Sequence, residues 1–419
     1  MGFTTGLTCV KCGAQHTHRN PFFRCLRCGG LLDPTYDYDA LADWFNLDEV
    51  RKRENNLWKW KEFLPIEDES KIVTLGEGGT PLLKCDKIAE EVGIKELYVK
   101  DDAMTQPTGS LRDRSIPVAA TKALEFGYEV LTSDSWGNKA ASVAAYAARA
   151  GLKSVIFCPA QEPLEKLAQS LMYGAKLLRI KANMSEVNKI YQKILSIYGP
   201  RVRWYDCGRD NPFRYEGKKT YAYEVMDSLN WQFVPDRIFH PSAGSLSVVK
   251  IYKGYSELRL LGKVSELPKM VVVQPEACAP IVRAYKEGKT KVEPIPEDKT
   301  VASAITLGNP GDLGDLTLKA IKESKGTAVT VTDEEIVYGV KLLGREGIFS
   351  EPSGAAGIPA VKKLVEGREI DRDERVVVDV TGSGLRDLEA AMGMVEMPSV
   401  VEPDFGTVEK SIMKLVEEM

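Results

Sequence analysis

The sequence predicts an α/β protein in which two open, mostly parallel-sheet domains face each other across a cleft, with a zinc ribbon at the N-terminus. Strand-like segments alternate with helix-like segments of about 10 to 15 residues, a pattern typical of βαβ units in a parallel sheet. The alternation runs in two series, which predicts two sheets. Paired cysteines near the N-terminus predict the ribbon.

The chain is expected to divide into four units. We expect a zinc ribbon over 1–34, a helical linker over 35–75 and a smaller α/β domain over 101–207. The larger α/β domain is expected to combine 76–100 with 208–419. The length of 419 residues suits two to three domains.

The overall composition is that of a globular protein, with 43% hydrophobic and 28% charged residues. The formal net charge of −4 argues against a protein that coats nucleic acid, which needs a basic face. The sequence contains no long uncharged apolar run and no charged-then-apolar leader. We therefore expect a cytoplasmic protein without a membrane or nucleic-acid partner.

Half of the eight cysteines form two Cys-x2-Cys knuckles, each followed by a glycine: Cys9, Cys12, Cys25 and Cys28. Each knuckle brings two thiolates to one side of a tight turn, so two knuckles supply a tetrahedral set of sulfur ligands. This pattern predicts a structural zinc ion. Because four sulfurs close the site, His16 and His18 are expected to be surface residues.

Local patterns assign the elements in order. Aromatic side chains among charges over 37–66 predict one or two amphipathic helices that pack on the main body. The first α/β series then reads ELYVKDDAM, a turn opening a helix at PTGSLRDR, YEVLTSDSWGN, KAASVAAYAARAG, KSVIFCPA, EPLEKLAQSLMYG and AKLLRI. The second series contains RIFHPSAGSLSVVKIYKGYSEL, KMVVVQPEACAPIVRAY and RVVVDVTGSGLRDLEAAM.

Five polar turns fall where parallel strands are expected to end: PTGSLRDR, SDSWGNKA, PSAGSLS, EPSGAAG and TGSGLRD. In an open α/β sheet, ligands bind at the carboxyl ends of strands, where loop amides and helix N-termini meet. One such turn alone is explained by helix capping. Five together predict a single site for a small anionic ligand.

The order and spacing of these motifs resemble threonine synthase and its relatives, which are pyridoxal-phosphate enzymes of fold type II. The matching segments run in family order from about 76 to 390, and the zinc knuckle also occurs in some archaeal-type members. The resemblance implies pyridoxal phosphate between the two domains and a lyase or β-replacement reaction on a phosphorylated or otherwise anionic amino acid. It also implies a homodimer.

The same resemblance assigns the residues that meet the cofactor and the substrate. The family's turn like 107–114 carries the lysine that bonds to the cofactor, and Ser110 belongs to this turn. Asn138 matches the asparagine beside the cofactor's phenolic oxygen. The residues that precede it are expected to meet the substrate carboxylate: Ser135, Trp136 and Gly137.

Two further turns complete the expected cofactor site. The family's phosphate-cupping loop matches 241–247, and the expected contacts are Gly244, Ser245 and Ser247. Such loops favour glycine because their dihedral angles include positive φ, so serine hydroxyls would have to compensate for missing glycines. The family's T-G-x-G turn places the Thr381 hydroxyl at the pyridine nitrogen, with Gly382 beside it.

Arg112 stands where the family has its lysine. A covalent bond to the cofactor's aldehyde needs a neutral primary amine, whereas a guanidinium group stays protonated and delocalised. Arg112 is therefore expected to clamp a carboxylate or phosphate in bidentate fashion. Arg114 is a second expected clamp; the alternative for it is an ion pair with Asp113 or another neighbouring acid.

Three hypotheses remain open. The protein is an enzyme that still binds pyridoxal phosphate, with Lys139 as the substitute amine, although Lys139 also suits a solvated first helical turn. Alternatively, it is a relative without this covalent chemistry that binds or converts another anionic molecule. The third alternative is a non-catalytic regulatory protein. His240 suits either a general base or a strand-end histidine hydrogen-bonded to backbone.

Overall fold

The computed structural model describes residues 2–135, 137–162, 164–244, 246–397 and 400–418. Trp136 and Ser245, two of the expected site residues, lie outside these ranges. The described residues form three sheets with helices packed against two of them. The fold class predicted from the sequence is confirmed.

The N-terminal unit is a small antiparallel sheet with the order β2-β1-β3. Its strands are β1 (Thr4–Cys9), β2 (Gln15–His16) and β3 (Leu32–Tyr36). Leu7 and Leu32 from this sheet pack in one cluster with Phe213 of the main body. The Tyr36 hydroxyl donates a hydrogen bond to Glu216 Oε2 at 2.7 Å, so the ribbon is docked through both apolar and polar contacts.

Short helices connect the ribbon to the main body. They are α1 (Tyr38–Trp44), α2 (Leu47–Arg51) and two 3₁₀ turns, Leu57–Phe63 and Glu69–Lys71. Asp37 and Asn46 begin the two α-helices because their side chains accept hydrogen bonds from free backbone N–H groups of the first turn. Trp60 is buried in the core, as expected for an aromatic residue that packs on the main body.

The larger sheet has six strands in the order β12-β11-β10-β13-β5-β4. Only the pairing of β4 with β5 is antiparallel. The bounds are β4 (Leu82–Lys84), β5 (Glu96–Asp101), β10 (Arg237–Pro241), β11 (Lys269–Pro275), β12 (Thr327–Val331) and β13 (Arg375–Val380).

Both faces of this sheet are buried, which explains why its strands are almost continuously apolar. In β11, Met270 and Val272 face one core cluster, whereas Val271 and Val273 face the other. The first face is covered by α9 (Thr220–Ser228), α10 (Leu246–Leu260), α11 (Pro280–Lys286) and α12 (Asp312–Glu323). The second is covered by α3 (Asp86–Val92), α13 (Asp333–Arg345), α14 (Pro352–Ala355) and α15 (Gly357–Glu366).

The smaller sheet is fully parallel, with the order β8-β7-β6-β9. Its strands are β6 (Val130–Asp134), β7 (Lys153–Pro159), β8 (Lys176–Ile180) and β9 (Trp204–Asp206). It packs with α4 (Ile116–Glu125), α5 (Asn138–Arg149), α6 (Leu164–Met172) and α7 (Met184–Val202). The remaining helices are α8 (Pro212–Glu216), α16 (Leu388–Gly393) and α17 (Phe405–Glu418). Among the described helices, none combines the length and apolar character needed to cross a bilayer.

Candidate active site

The turn at 107–115 and the turn after β13 are joined by backbone hydrogen bonds. Leu111 N donates to Thr381 O at 3.0 Å, and Ser383 N donates to Gly109 O at 2.8 Å. Within the first turn, the buried Asp113 carboxylate accepts a hydrogen bond from Thr108 N at 2.9 Å. Two of the polar turns expected to form one site are thus in direct contact.

Arg112 lies on the 3₁₀ turn Leu111–Arg114, and its backbone N–H is capped by Ser110 Oγ at 3.2 Å. The Ser110 hydroxyl therefore serves its own turn. The Arg112 side chain is half-buried and forms no ion pair with any described carboxylate. Burial, together with the nearby Arg214 guanidinium, lowers the pKa of Arg112, although a guanidinium remains charged at neutral pH.

Asn138, the first residue of α5, contacts the turn before α14 and the turn after β13. Its Nδ2 donates to both carboxylate oxygens of Glu351, at 3.2 and 3.3 Å, and its Oδ1 accepts from Arg386 Nε at 2.9 Å. Burial raises the pKa of Glu351, and the hydrogen bond from Asn138 works in the opposite direction. Asn138 thus bridges a carboxyl group and a guanidinium group that lie beside the larger sheet.

The structure places Lys139, a possible substitute amine or a solvated first-turn residue in the sequence, in an ion pair. Its Nζ lies 2.9 Å from Asp134 Oδ1, at the end of β6. Burial alone would raise the pKa of Asp134, yet the Lys139 ammonium holds it below its usual value. The Lys139 amine is therefore already engaged by a carboxylate of the smaller sheet.

The Arg114 guanidinium does not face a ligand as a free clamp, because all of its nitrogens donate hydrogen bonds within a buried network of ion pairs. Its Nε and Nη2 donate to Asp102 at 2.7 and 2.6 Å, and its Nη1 donates to Glu224 Oε1 at 2.6 Å. Thr80 and Thr220 accept further hydrogen bonds from it. The structure therefore supports the alternative of an ion pair with neighbouring acids.

The loop after β10 differs from a glycine nest. Gly244 does not adopt positive φ; instead, a Cβ at this position would lie 3.0 Å from Leu307 Cδ2. This glycine is required by close packing. The buried Ser247 Oγ, in the first turn of α10, accepts a hydrogen bond from Lys218 Nζ at 2.5 Å.

In the loop 381–383, a larger residue than glycine would displace the Glu351 side chain. A Cβ on Gly382 would lie 2.6 Å from Glu351 Oε1. Thr381 is buried beside it, and none of the described residues is hydrogen-bonded to its hydroxyl, which leaves this group available to a ligand. Ser135 and Gly137 flank Trp136 before α5, with Ser135 N bonded to Phe157 O at 2.9 Å.

A small pocket lies at the carboxyl ends of β10 and β13, beside the 107–115 turn. Its lining includes the ion pair of Asp102 and Arg114 and, beside it, Leu111, Lys218, Tyr221, His240, Ser247 and Asp379. The Tyr221 hydroxyl and Asp379 Oδ1 are buried and have no hydrogen-bond partner among the described atoms. A pocket with unpartnered polar groups and a buried amine suits a small polar ligand.

His240 has an orienting partner that the sequence did not reveal. Its Nδ1 lies 2.6 Å from Asp379 Oδ2, and both side chains are buried. The partner is therefore a carboxylate on the neighbouring strand and not a backbone group. Burial raises the pKa of Asp379, whereas its hydrogen bond to His240 lowers it.

Sequence reasoning missed Lys218, Asp379, Glu351, Arg386 and Arg214. Lys218 and Arg214 lie one helical turn apart in the segment NPFRYEGKKT. The only local signal was a pair of lysines next to an apolar helix, and it did not tell which lysine faces the pocket. Glu351 and Arg386 belong to the polar turns EPSGAAG and TGSGLRD, but their contacts with Asn138 join residues more than 200 positions apart.

The four N-terminal cysteine sulfurs lie within 4.8 Å of one another. The Sγ atoms of Cys9 and Cys28 are 3.5 Å apart, and those of Cys12 and Cys25 are 3.7 Å apart. Tetrahedral coordination with Zn–S bonds of about 2.3 Å requires sulfurs separated by roughly 3.8 Å, so this cluster fits a zinc ion.

The two histidines near the zinc cluster are not simple surface residues. His16 Nε2 lies 3.3 Å from Cys25 Sγ, a hydrogen bond typical of groups that surround metal ligands. His18 is buried and lies 3.0 Å from Glu67 Oε1. The expectation of surface positions was wrong for His18, because the linker folds back over it.

The chain is similar to known proteins of one enzyme family over most of its length. A family model described as pyridoxal-phosphate dependent enzyme matches residues 73–382. Threonine synthase of Methanocaldococcus jannaschii is 42% identical over 97% of this chain and 99% of its own length. Threonine synthase of Methanosarcina acetivorans is 41% identical over 97% and 98%, respectively.

Solved structures share the fold at low sequence identity. Serine racemase from Dictyostelium discoideum superposes with a TM-score of 0.61 at 21% identity, covering 79% of this chain and 99% of its own. Diaminopropionate ammonia lyase from Escherichia coli gives a TM-score of 0.64 at 18% identity, covering 78% and 90%.

Proposed function

The chain belongs to the family of pyridoxal-phosphate dependent enzymes, and from this premise we propose that it is a lyase of amino-acid metabolism acting on a phosphorylated or otherwise anionic amino acid. Near full-length similarity to threonine synthases carries the proposal. When bound, the cofactor acts as an electron sink that eases bond cleavage at the α-carbon of an amino acid.

The protein's own groups fit such a cofactor at the cleft. Asn138 presents an amide there and is held by Glu351 and Arg386. We assign contacts with the cofactor ring to Asn138, Thr381 and Gly382. The two turns around them are fixed to each other by main-chain hydrogen bonds, so these groups are already oriented before a ligand arrives.

Gly244 and Ser247 are assigned to the cofactor's phosphate group. Ser247 lies in the first turn of α10, a helix of 15 residues whose N-terminal N–H groups and dipole favour an anion. In this proposal, Ser135 and Gly137 hold the substrate carboxylate at the start of α5. The Thr381 hydroxyl donates to or accepts from the ring nitrogen.

The cations around the site support an anionic substrate. Arg112, Arg214 and Lys218 lie near one another, and none of them forms an ion pair with a described carboxylate. Arg214 is buried, its Nη1 donates to Gly208 O at 3.1 Å, and its Nε has no partner among the described atoms. A phosphate or sulfonate group would supply the negative charge that this part of the cleft lacks.

The experiment has two readouts on the purified full-length chain. Equilibrium binding of pyridoxal phosphate is measured by the change in absorbance and by retention after gel filtration. Phosphorylated and sulfonated four-carbon amino acids are then supplied, and the release of phosphate and the formation of threonine are followed by mass spectrometry.

We expect saturable cofactor binding and turnover of at least one anionic amino acid. The test variant is Thr381→Val, which keeps the shape of the side chain and removes the hydroxyl, and which should weaken cofactor binding about tenfold. A chain that binds no pyridoxal phosphate at any tested concentration contradicts the proposal.

A further inference from the structure

We propose that Lys218 supplies the primary amine that bonds covalently to the aldehyde carbon of pyridoxal phosphate in this protein. The inference rests on the proposed function, because it assigns the cofactor's attachment point. It replaces Lys139, whose amine is paired with Asp134.

Lys218 is exceptional among the buried lysines. Six lysines are buried in the part of the chain that the structure describes: Lys59, Lys100, Lys122, Lys218, Lys219 and Lys250. Five of these form ion pairs with carboxylates: Lys59 with Asp227, Lys100 with Glu224, Lys122 with Glu125, Lys219 with Glu216 and Lys250 with Asp33. Lys218 forms none within the described residues, and Ser247 Oγ is its hydrogen-bond partner.

The surroundings of Lys218 favour the neutral amine. Its side chain is 3% exposed. Burial lowers the pKa of Lys218 well below its usual range, and the Arg112 and Arg214 guanidinium groups lower it further. The opposing attraction of Asp379 and Asp102 does not offset these effects. A neutral amine is the form that attacks a carbonyl carbon.

The position of Lys218 is as important as its charge. The pocket that it lines also contains Leu111, the residue directly before Arg112. Lys218 therefore faces the turn that resembles the lysine-bearing turn of the family. His240 and Asp379, also in the pocket, come from the carboxyl ends of β10 and β13, where ligands of α/β sheets bind.

The covalent step is a simple condensation. The lone pair of Lys218 Nζ attacks the aldehyde carbon, the two amine protons and the carbonyl oxygen leave as water, and a C=N bond remains. No oxidant or reductant is consumed. Arg112 takes no covalent part, and its charge helps to keep the neighbouring amine unprotonated.

The test traps this bond chemically. The full-length chain is mixed with one equivalent of pyridoxal phosphate, reduced with sodium borohydride, digested and mapped by mass spectrometry with fragmentation that separates position 218 from position 219. The same treatment is applied to Lys218→Met, Lys218→Gln and the matched control Lys139→Met. Circular dichroism and zinc content verify that each variant is folded.

We expect one label at position 218 in the wild type and in K139M, and at least a tenfold loss of that label in both Lys218 variants. A label that persists in folded K218M or K218Q, or that maps to position 139 or another lysine, overturns the inference. Saturable cofactor binding without a label also overturns it, and in both cases the proposed function stands. Absence of any cofactor binding overturns the proposed function and the inference together.

Discussion

Lys218 and Lys219 are consecutive and buried, and burial lowers the pKa of both, but only Lys219 is paired with carboxylates. Lys219 Nζ lies 2.8 Å from Glu216 Oε2 and 2.9 Å from Glu257 Oε1, whereas Lys218 donates to the Ser247 hydroxyl and lies over the Tyr215 ring, with no ion pair to a described carboxylate. Both belong to the 3₁₀ turn Gly217–Lys219 that leads into α9. Because the two side chains leave the turn in different directions, Lys219 is held among carboxylates whereas Lys218 lines the pocket.

This difference predicts opposite effects on stability. Lys219→Met leaves two buried carboxylates short of a partner and should lower the free energy of unfolding by about 3–5 kcal/mol. Lys218→Met breaks no ion pair, and it should change that free energy by less than about 1 kcal/mol or increase it. Urea denaturation of the three proteins at pH 7 measures both values. Equal losses in the two variants would mean that Lys218 is also a structural cation.

The lowered pKa of Lys218 predicts a pH dependence with a definite sign. The unfolded chain keeps its proton up to a pKa of about 10.4, whereas the folded chain loses it at lower pH. Between these two pKa values the unfolded state binds more protons than the folded state. The contribution of Lys218 to the free energy of unfolding of the wild type therefore falls as the pH falls. The advantage of K218M over the wild type should therefore shrink from pH 7 toward pH 10 in urea titrations. Parallel curves for the two proteins would contradict the lowered pKa.

The contact between Asn138 and Glu351 predicts coupling between the two domains. Asn138→Ala removes the amide that donates to the buried carboxylate and should destabilise the chain by about 1–3 kcal/mol. It should also raise the Glu351 pKa further, because burial is then less opposed. A double-mutant cycle with Glu351→Gln measures the interaction. Additive effects would show that the two residues do not support each other.

The cluster of four cysteines, if it holds zinc as proposed, predicts a link between the ribbon and the site. Cys12→Ser should abolish stoichiometric zinc, lower the melting temperature and weaken cofactor binding, because the ribbon packs on Phe213 and Glu216 shortly before Lys218. The control is Cys278→Ser, which alters a buried cysteine outside the cluster and should retain zinc. Metal analysis and thermal unfolding test this prediction. Full zinc content in C12S would refute the four-cysteine assignment.

The substitution Arg112→Lys should create a second point of attachment for the cofactor's aldehyde. A lysine amine can lose its proton, which a guanidinium cannot, so borohydride trapping of R112K should label the peptide that contains position 112. Labelling at position 218 should fall in the same sample, since one aldehyde cannot bond to both amines. If position 112 stays unlabelled, the turn 107–115 does not face the cofactor.

Much of this site was predictable because its signals are local. The cysteine knuckles, the glycine-bearing turns and the alternation of strands and helices depend on residues close in sequence. The roles of Arg114 and Lys139 were not predictable in this way. Arg114 meets Glu224, 110 positions away, and the choice between a buried network and a ligand depends on that encounter.

The sequence by itself determined the family, the α/β fold, the sulfur ligands and the presence of arginine in the turn 107–115. Only the tertiary structure decided which buried lysine amine has no carboxylate partner. It also decided that His240 pairs with Asp379, which lies on the neighbouring strand 139 positions away. The physical reason is that burial and charge pairing set the protonation of a side chain, and both depend on contacts between distant segments. Lys218 and Lys219 have the same chemistry in the sequence, and the fold alone makes them different.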